Sequence, residues 1–204
     1  MEEDRVRLIL KNDLKYNLES IDKLNEYVNL LLIANRSHNF IAKSTEKDVW
    51  NRHILDSAQL VKFINFNSGS LADLGSGAGF PGIVLGIFNQ NKKFHVKLYE
   101  KSIVKRKFLL SLMQKLDINV EILADIYEDK INVNYIVSRA FKKLDKILQV
   151  SREICLKTHR IIVLKGKNAE GEANKAFKNS EMSYKLINSI TSKESKILIA
   201  DVIK

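Results

Sequence analysis

Leu14, Leu18, Ile21, Leu24, Val28, Leu31 and Leu32 recur three and four residues apart. That spacing lines one face of a helix, so residues 14–34 are predicted to be an amphipathic helix. The polar stretch Asn35-Arg36-Ser37-His38-Asn39-Phe40 breaks the pattern and reads as a loop. Ser44-Thr45-Glu46-Lys47 then offers a hydroxyl and a first-turn carboxylate, a helix start. Val49, Trp50, Ile54, Leu55, Ala58, Val61, Phe63 and Ile64 supply the apolar side of this second helix. Asn65-Phe66-Asn67-Ser68-Gly69-Ser70 ends it and marks the best boundary in the chain, between a helical extension (1–66) and a second unit (67–204).

Past the boundary, strand and helix alternate. Strands are predicted at Leu71–Leu74, Phe94–Tyr99, Val120–Ala124, Tyr135–Ser138 and His159–Leu164, with helices at Gly82–Phe88, Val104–Leu116 and Leu144–Leu156. Repeated βα units imply a parallel sheet with helices on both faces, because right-handed crossovers place them there. Tyr184–Ile190 and Ile197–Ile203, joined by the polar Thr191–Ser195, read as a closing antiparallel hairpin. The expectation is a seven-stranded mixed α/β sheet of Rossmann-like type.

Composition narrows the classes. The 204 residues and 45% hydrophobic content suit one ordinary core. The longest apolar run, Leu30–Ala34, falls far short of the roughly 18–20 residues that cross a bilayer, so no membrane partner is expected. The acidic start, Met1-Glu2-Glu3-Asp4, has no apolar signal core, which reads as cytoplasmic. A single cysteine, Cys155, lies in the apolar run Ile154-Cys155-Leu156 and reads as structural; it forms no internal disulfide, and no metal site is expected. The net charge of +10 with pI near 9.5 suits a polyanionic partner such as nucleic acid, although solvated lysines need none.

Four of the eight glycines and the only proline lie in Leu71-Ala72-Asp73-Leu74-Gly75-Ser76-Gly77-Ala78-Gly79-Phe80-Pro81-Gly82. A strand, a glycine turn and a helix in succession form a nucleotide cradle. Counted from Gly77 the stretch satisfies the dinucleotide pattern G-x-G-x-x-G, whereas counted from Gly75 it fails at Phe80. Asp73, at the strand's carboxyl end, would repel a pyrophosphate and attract the sulfonium and ammonium of S-adenosylmethionine. Glu100 ends the second strand, where a carboxylate accepts from ribose hydroxyls, and Asp125 past the third strand suits an adenine amino group.

The chain here resembles a known family, the bacterial small-subunit (16S) ribosomal RNA guanine-N7 methyltransferases of the G type, also called glucose-inhibited division protein B. The blocks that carry the likeness are Asn51-Arg52-His53-Ile54-Leu55-Asp56-Ser57, Asp73–Ile83, Lys105-Arg106-Lys107-Phe108-Leu109, Ser138-Arg139-Ala140-Phe141 and Leu164-Lys165-Gly166, over roughly residues 15–204. The resemblance implies a class I methyltransferase fold using S-adenosylmethionine, with Gly75, Phe80, Ile126, Tyr127 and Arg139 lining the donor site beside Ser76, Gly77 and Gly79. Two places depart from the family pattern. Val84 stands where a second proline is common, and Ala124-Asp125-Ile126-Tyr127 lacks the usual basic residue before a carboxylate.

Guanine N7 presents an in-plane lone pair and no proton, so such chemistry needs no general base, and none is obvious. The lone Pro81 rules out the Asn/Asp-Pro-Pro clamp of exocyclic amine methylation. Arg139 and Lys165, each just past a strand, are candidates to hold the donor's carboxylate or RNA phosphate, with Arg36, Asn39 and His53 as substrate-positioning groups. An alternative for His53 is a structural pair with Asp56, three residues on. Lys101, Lys105, Arg106, Lys107 and Lys115 form a basic stretch. Ribosomal RNA or the small subunit is the expected partner, and a monomer the expected state. The rival readings are an NAD-dependent oxidoreductase and a non-catalytic RNA-binding protein of the same fold.

Overall fold

The computed structural model describes residues 1–127, 130–178 and 180–204. Its seven strands are β1 (Gly69–Leu74), β2 (Phe94–Tyr99), β3 (Val120–Leu123), β4 (Tyr135–Arg139), β5 (His159–Lys165), β6 (Tyr184–Asn188) and β7 (Lys196–Val202). They form one sheet in the order β3-β2-β1-β4-β5-β7-β6. The first five pair in parallel, and β7 runs antiparallel between β5 and β6. The expected mixed sheet with its closing hairpin is therefore present. Strand order reverses between β1 and β4, so their carboxyl ends open the crevice where such sheets bind ligands.

The strands between β2 and β7 are covered on both faces, and their side chains alternate between two cores. Along β5, Ile162 and Leu164 join one apolar cluster while Ile161 and Val163 join the other. Helices α4 (Gly82–Phe88) and α5 (Ile103–Leu116) sit on the first face together with the whole helical extension, and α6 (Leu144–Ile154) and α7 (Ala169–Phe177) sit on the second. The extension thus packs into the sheet's own core.

Within that extension the helices differ from expectation. The helix predicted over 14–34 is α2 (Leu18–Asn35), preceded by a separate α1 (Glu3–Asn12). Lys15, at φ 63°, turns the chain between them, and the Asn17 side chain accepts from the Ser20 amide at 2.7 Å to start α2. The second predicted helix is a run of changing winding: 3-10 over Lys43–Asp48, π over Trp50–Leu55, α3 over Asp56–Ala58, and 3-10 again over Gln59–Phe63. A buried polar cluster fixes it. Asp56 accepts from Gln59 and Thr191, and Gln59 donates to Ser189, tying the run to the β6–β7 turn. Helix α7 was not anticipated, because Ala169, Ala173 and Phe177 make a short apolar stripe interrupted by Gly171.

Candidate functional site

At the carboxyl end of β1 the chain turns under the control of its glycines. The amides of Gly75 and Ser76 both donate to the Tyr99 carbonyl, at 2.9 and 3.0 Å, fastening the turn to β2. Gly75 has φ 73°, and a Cβ there would lie 2.4 Å from the Phe141 ring; Gly77 has φ 59°. These backbone angles and this close approach require glycine. The Tyr27 hydroxyl of α2 donates to the Ala78 carbonyl at 2.8 Å, so the extension braces the turn from outside the sheet.

A cavity of about 420 Å³ opens beside this turn. Gly75, Ser76, Gly77 and Phe80 form one wall, Glu100 and Lys101 follow β2, and Asp125, Ile126 and Tyr127 follow β3. Arg139, the last residue of β4, and Ala140, Phe141 and Lys142 after it close the far side. Ala140 holds φ 54°, a left-handed backbone next to Arg139. Glu100 accepts from the Gly77 amide at 2.9 Å with one oxygen and from the Ser102 amide at 2.8 Å with the other, and a carboxylate oxygen has a second lone pair for a further donor. Asp125 accepts from the Tyr127 amide at 3.2 Å.

Several predicted residues have other tasks. Asp73 is fully buried and outside the cavity lining; one oxygen accepts from the Gly82 amide at 2.9 Å, and the other has no partner among the described residues. Burial raises its pKa to about 7. Asp73 grips the turn and the start of α4 from behind the cavity wall. Gly79 also lies behind the wall, against Tyr27 and Ile83. Lys165 turns to α7, donating to Glu172 at 2.8 Å and to the Lys142 carbonyl at 3.0 Å, so it steadies the loop that carries Lys142. Arg36 and Asn39 are exposed and line no part of the cavity.

His53 does not pair with Asp56 and lies outside the cavity lining. Asp56 bonds elsewhere, and the imidazole sits between Arg139 Nη2, 2.7 Å from Nδ1, and Thr45 Oγ1, 2.8 Å from Nε2. A guanidinium only donates, so Nδ1 must be the bare acceptor and Nε2 carries the proton. Burial first, then the charges of Arg139 and Arg52, depress the His53 pKa to about 3, which keeps the ring neutral. Arg139 also donates to the Arg52 carbonyl at 3.0 Å, approaches Asp56 at 4.0 Å and lies 4.8 Å over the Phe80 ring. The π turn thereby fixes the cationic wall of the cavity.

Sequence reasoning missed Phe40, Lys142 and Phe141. Phe141 belongs to the quoted S-R-A-F block, and Lys142, whose ammonium bonds the Tyr127 hydroxyl at 2.8 Å, follows it directly. Phe40 ends a loop that the Asn35 side-chain oxygen closes by accepting from the Phe40 and Ile41 amides, five and six residues on, a contact that no apolar periodicity announces.

The family model described as rRNA small subunit methyltransferase G (GidB) matches residues 20–199. A ribosomal RNA small subunit methyltransferase G from Pelagibacter ubique is 35% identical over 192 residues, spanning 91% of this chain and 90% of that one. The protein of the same name from Rickettsia bellii is 36% identical, spanning 91% and 96%. Among solved structures, a SAM dependent methyltransferase from Aquifex aeolicus aligns with TM-score 0.60 and 16% identity, covering 74% of this chain and 91% of its own. M. jannaschii TYW2 in complex with AdoMet aligns with TM-score 0.52 and 15% identity, covering 73% and 74%. These two establish a likeness of fold.

Proposed function

Since the chain belongs to the rRNA small subunit methyltransferase G family, we propose that it is an S-adenosylmethionine-dependent class I methyltransferase that methylates N7 of a guanine in small-subunit ribosomal RNA. The observation that carries this reading is the contact between two of the quoted blocks, Asn51–Ser57 and Ser138–Phe141, behind the wall of the cavity that the second one lines. His53 of the first holds Arg139 of the second, beside the glycine turn. The NAD-dependent and non-catalytic alternatives have no comparable support.

The cavity suits the donor. Glycine amides allow close approach, and Glu100 and Asp125 offer acceptors for ribose hydroxyls and an adenine amino group. Arg139 and Lys142 supply cations for a carboxylate. When bound, S-adenosylmethionine supplies a methyl already activated on a sulfonium. What the protein must add is alignment, because N7 attacks with a free lone pair and no proton has to be removed. The extension over 1–66 serves as the substrate-side cap, and the enzyme acts as a cytoplasmic monomer on RNA or on the small subunit. No helix among the described residues is long and apolar enough to cross a membrane.

The test is incubation with methyl-labelled S-adenosylmethionine and unmodified small-subunit RNA or subunits, followed by base mapping. Label at N7 of one guanine is expected; label on another atom, or none, overturns the reading.

A further inference from the structure

Next to the donor cavity lies a second opening, an apolar groove of about 510 Å³ between the end of α2 and the first turns of α5. Phe40 belongs to the linings of both. The groove carries a row of rings: His38 and Phe40 are 5.5 Å apart, and Phe40 stacks on Phe108 at 4.6 Å and 22°. Asn35 preorganises the row by holding the Phe40 amide at 2.8 Å. Ile33 and Val104, 60% and 48% exposed, flank the rings, an apolar surface that the fold leaves uncovered.

Charge selects the occupant. Lys107 lines the groove, Lys101 and Lys105 continue the same side into the donor cavity, and no carboxylate is among the groove's lining residues. Aromatic rings beside lysines are the combination that single-stranded RNA uses, bases stacking on rings while phosphates meet cations. We propose that this groove binds an unpaired nucleobase of the substrate RNA, a neighbour of the methylated guanine, stacked on the His38–Phe40–Phe108 row. This inference rests on RNA being the substrate. It adds a subsite outside the donor cavity and gives the loop at 36–40 a function that its exposed polar residues did not show. Holding a neighbouring base would keep the RNA strand open so that the guanine can leave its stack.

The test compares two single-stranded RNA hexamers at fixed ionic strength, one with its bases and one with abasic sugars throughout, binding the full chain in the presence of S-adenosylmethionine. Phe40 is left intact because it borders the donor. Stacking on a ring is worth a preference of roughly 5- to 150-fold for the base-bearing hexamer. That preference should shrink in His38→Ala and Phe108→Leu and be retained in Phe108→Tyr, with donor affinity unchanged and every variant folded at the temperature of the assay. Equal preferences in wild type and all variants overturn the proposal. So does a Phe108→Leu defect seen only on protein-bearing subunits, which would assign the groove to a protein contact. Methylation of ribosomal RNA by the wild type is scored separately, so failure of the substrate reading and failure of the stacking subsite are distinct results.

Discussion

His53 is a neutral acceptor that keeps Arg139 aimed along the cavity wall, and its titration has a defined sign. Its folded pKa, about 3, lies below the ordinary histidine value of 6.5, so the unfolded chain takes up a proton that the folded chain refuses. The stability this confers is present above about pH 6.5 and is lost as the pH falls toward 3, at no more than about 1.4 kcal/mol per pH unit. Urea unfolding between pH 7 and 4 should therefore show wild type losing more stability than His53→Gln. Gly75 gives a second test at this scale. A valine there meets Phe141 and is held at φ 73°. That strain should lower folding stability by about 2–3 kcal/mol in urea unfolding, and the added side chain blocks close approach of the donor to the turn, so calorimetry on the folded fraction should show donor binding lost. The lining from Gly75 to Gly77, Glu100, Asp125 and Arg139 is legible in the sequence because each stands where a strand ends, and open α/β sheets gather ligands there, whereas Ile126 and Tyr127 follow only from the family resemblance. Asp73 and Lys165 obey the same positional rule yet face Gly82 and Glu172. Side-chain direction at a strand end is set by neighbours that the sequence does not place.

Among elements, the sheet was legible because the strands between β2 and β7 are buried on both faces and read as short apolar runs, separated by helices of a different period. The helical extension was less so. Its second helix carries a continuous apolar stripe, but the winding within it answers to Asp56 and Gln59, whose partners Ser189 and Thr191 lie about 130 residues away. Local periodicity holds no trace of such partners. Helix α2 couples this extension to the glycine turn through one hydroxyl, giving an element-level prediction. Tyr27→Phe leaves the Ala78 carbonyl buried without its donor and should lower stability by about 1–3 kcal/mol in urea unfolding. Donor affinity should fall with it, because the turn loses its outer brace.

At the scale of the whole molecule, the charge of +10 makes RNA affinity depend on salt. For single strands each phosphate contact contributes about 0.7 to the slope of log affinity against log salt. Lys101→Ala with Lys105→Ala should reduce that slope by about 1.4, measured by anisotropy titrations from low to physiological salt, if both cations meet phosphate. The topology has a consequence in time. Strand β7 is the latest of the strands in the chain, yet it seats itself between β5 and β6, and the turn leading into it carries Thr191 to Asp56. Asp56 in turn stands 4.0 Å from Arg139. During synthesis the glycine turn, Glu100 and Arg139 all emerge well before β7 does. The bonds from His53 and Arg52 to the arginine join segments made early, whereas the bond from Thr191 to Asp56 joins residues 135 positions apart and can form only once the turn before β7 has been made.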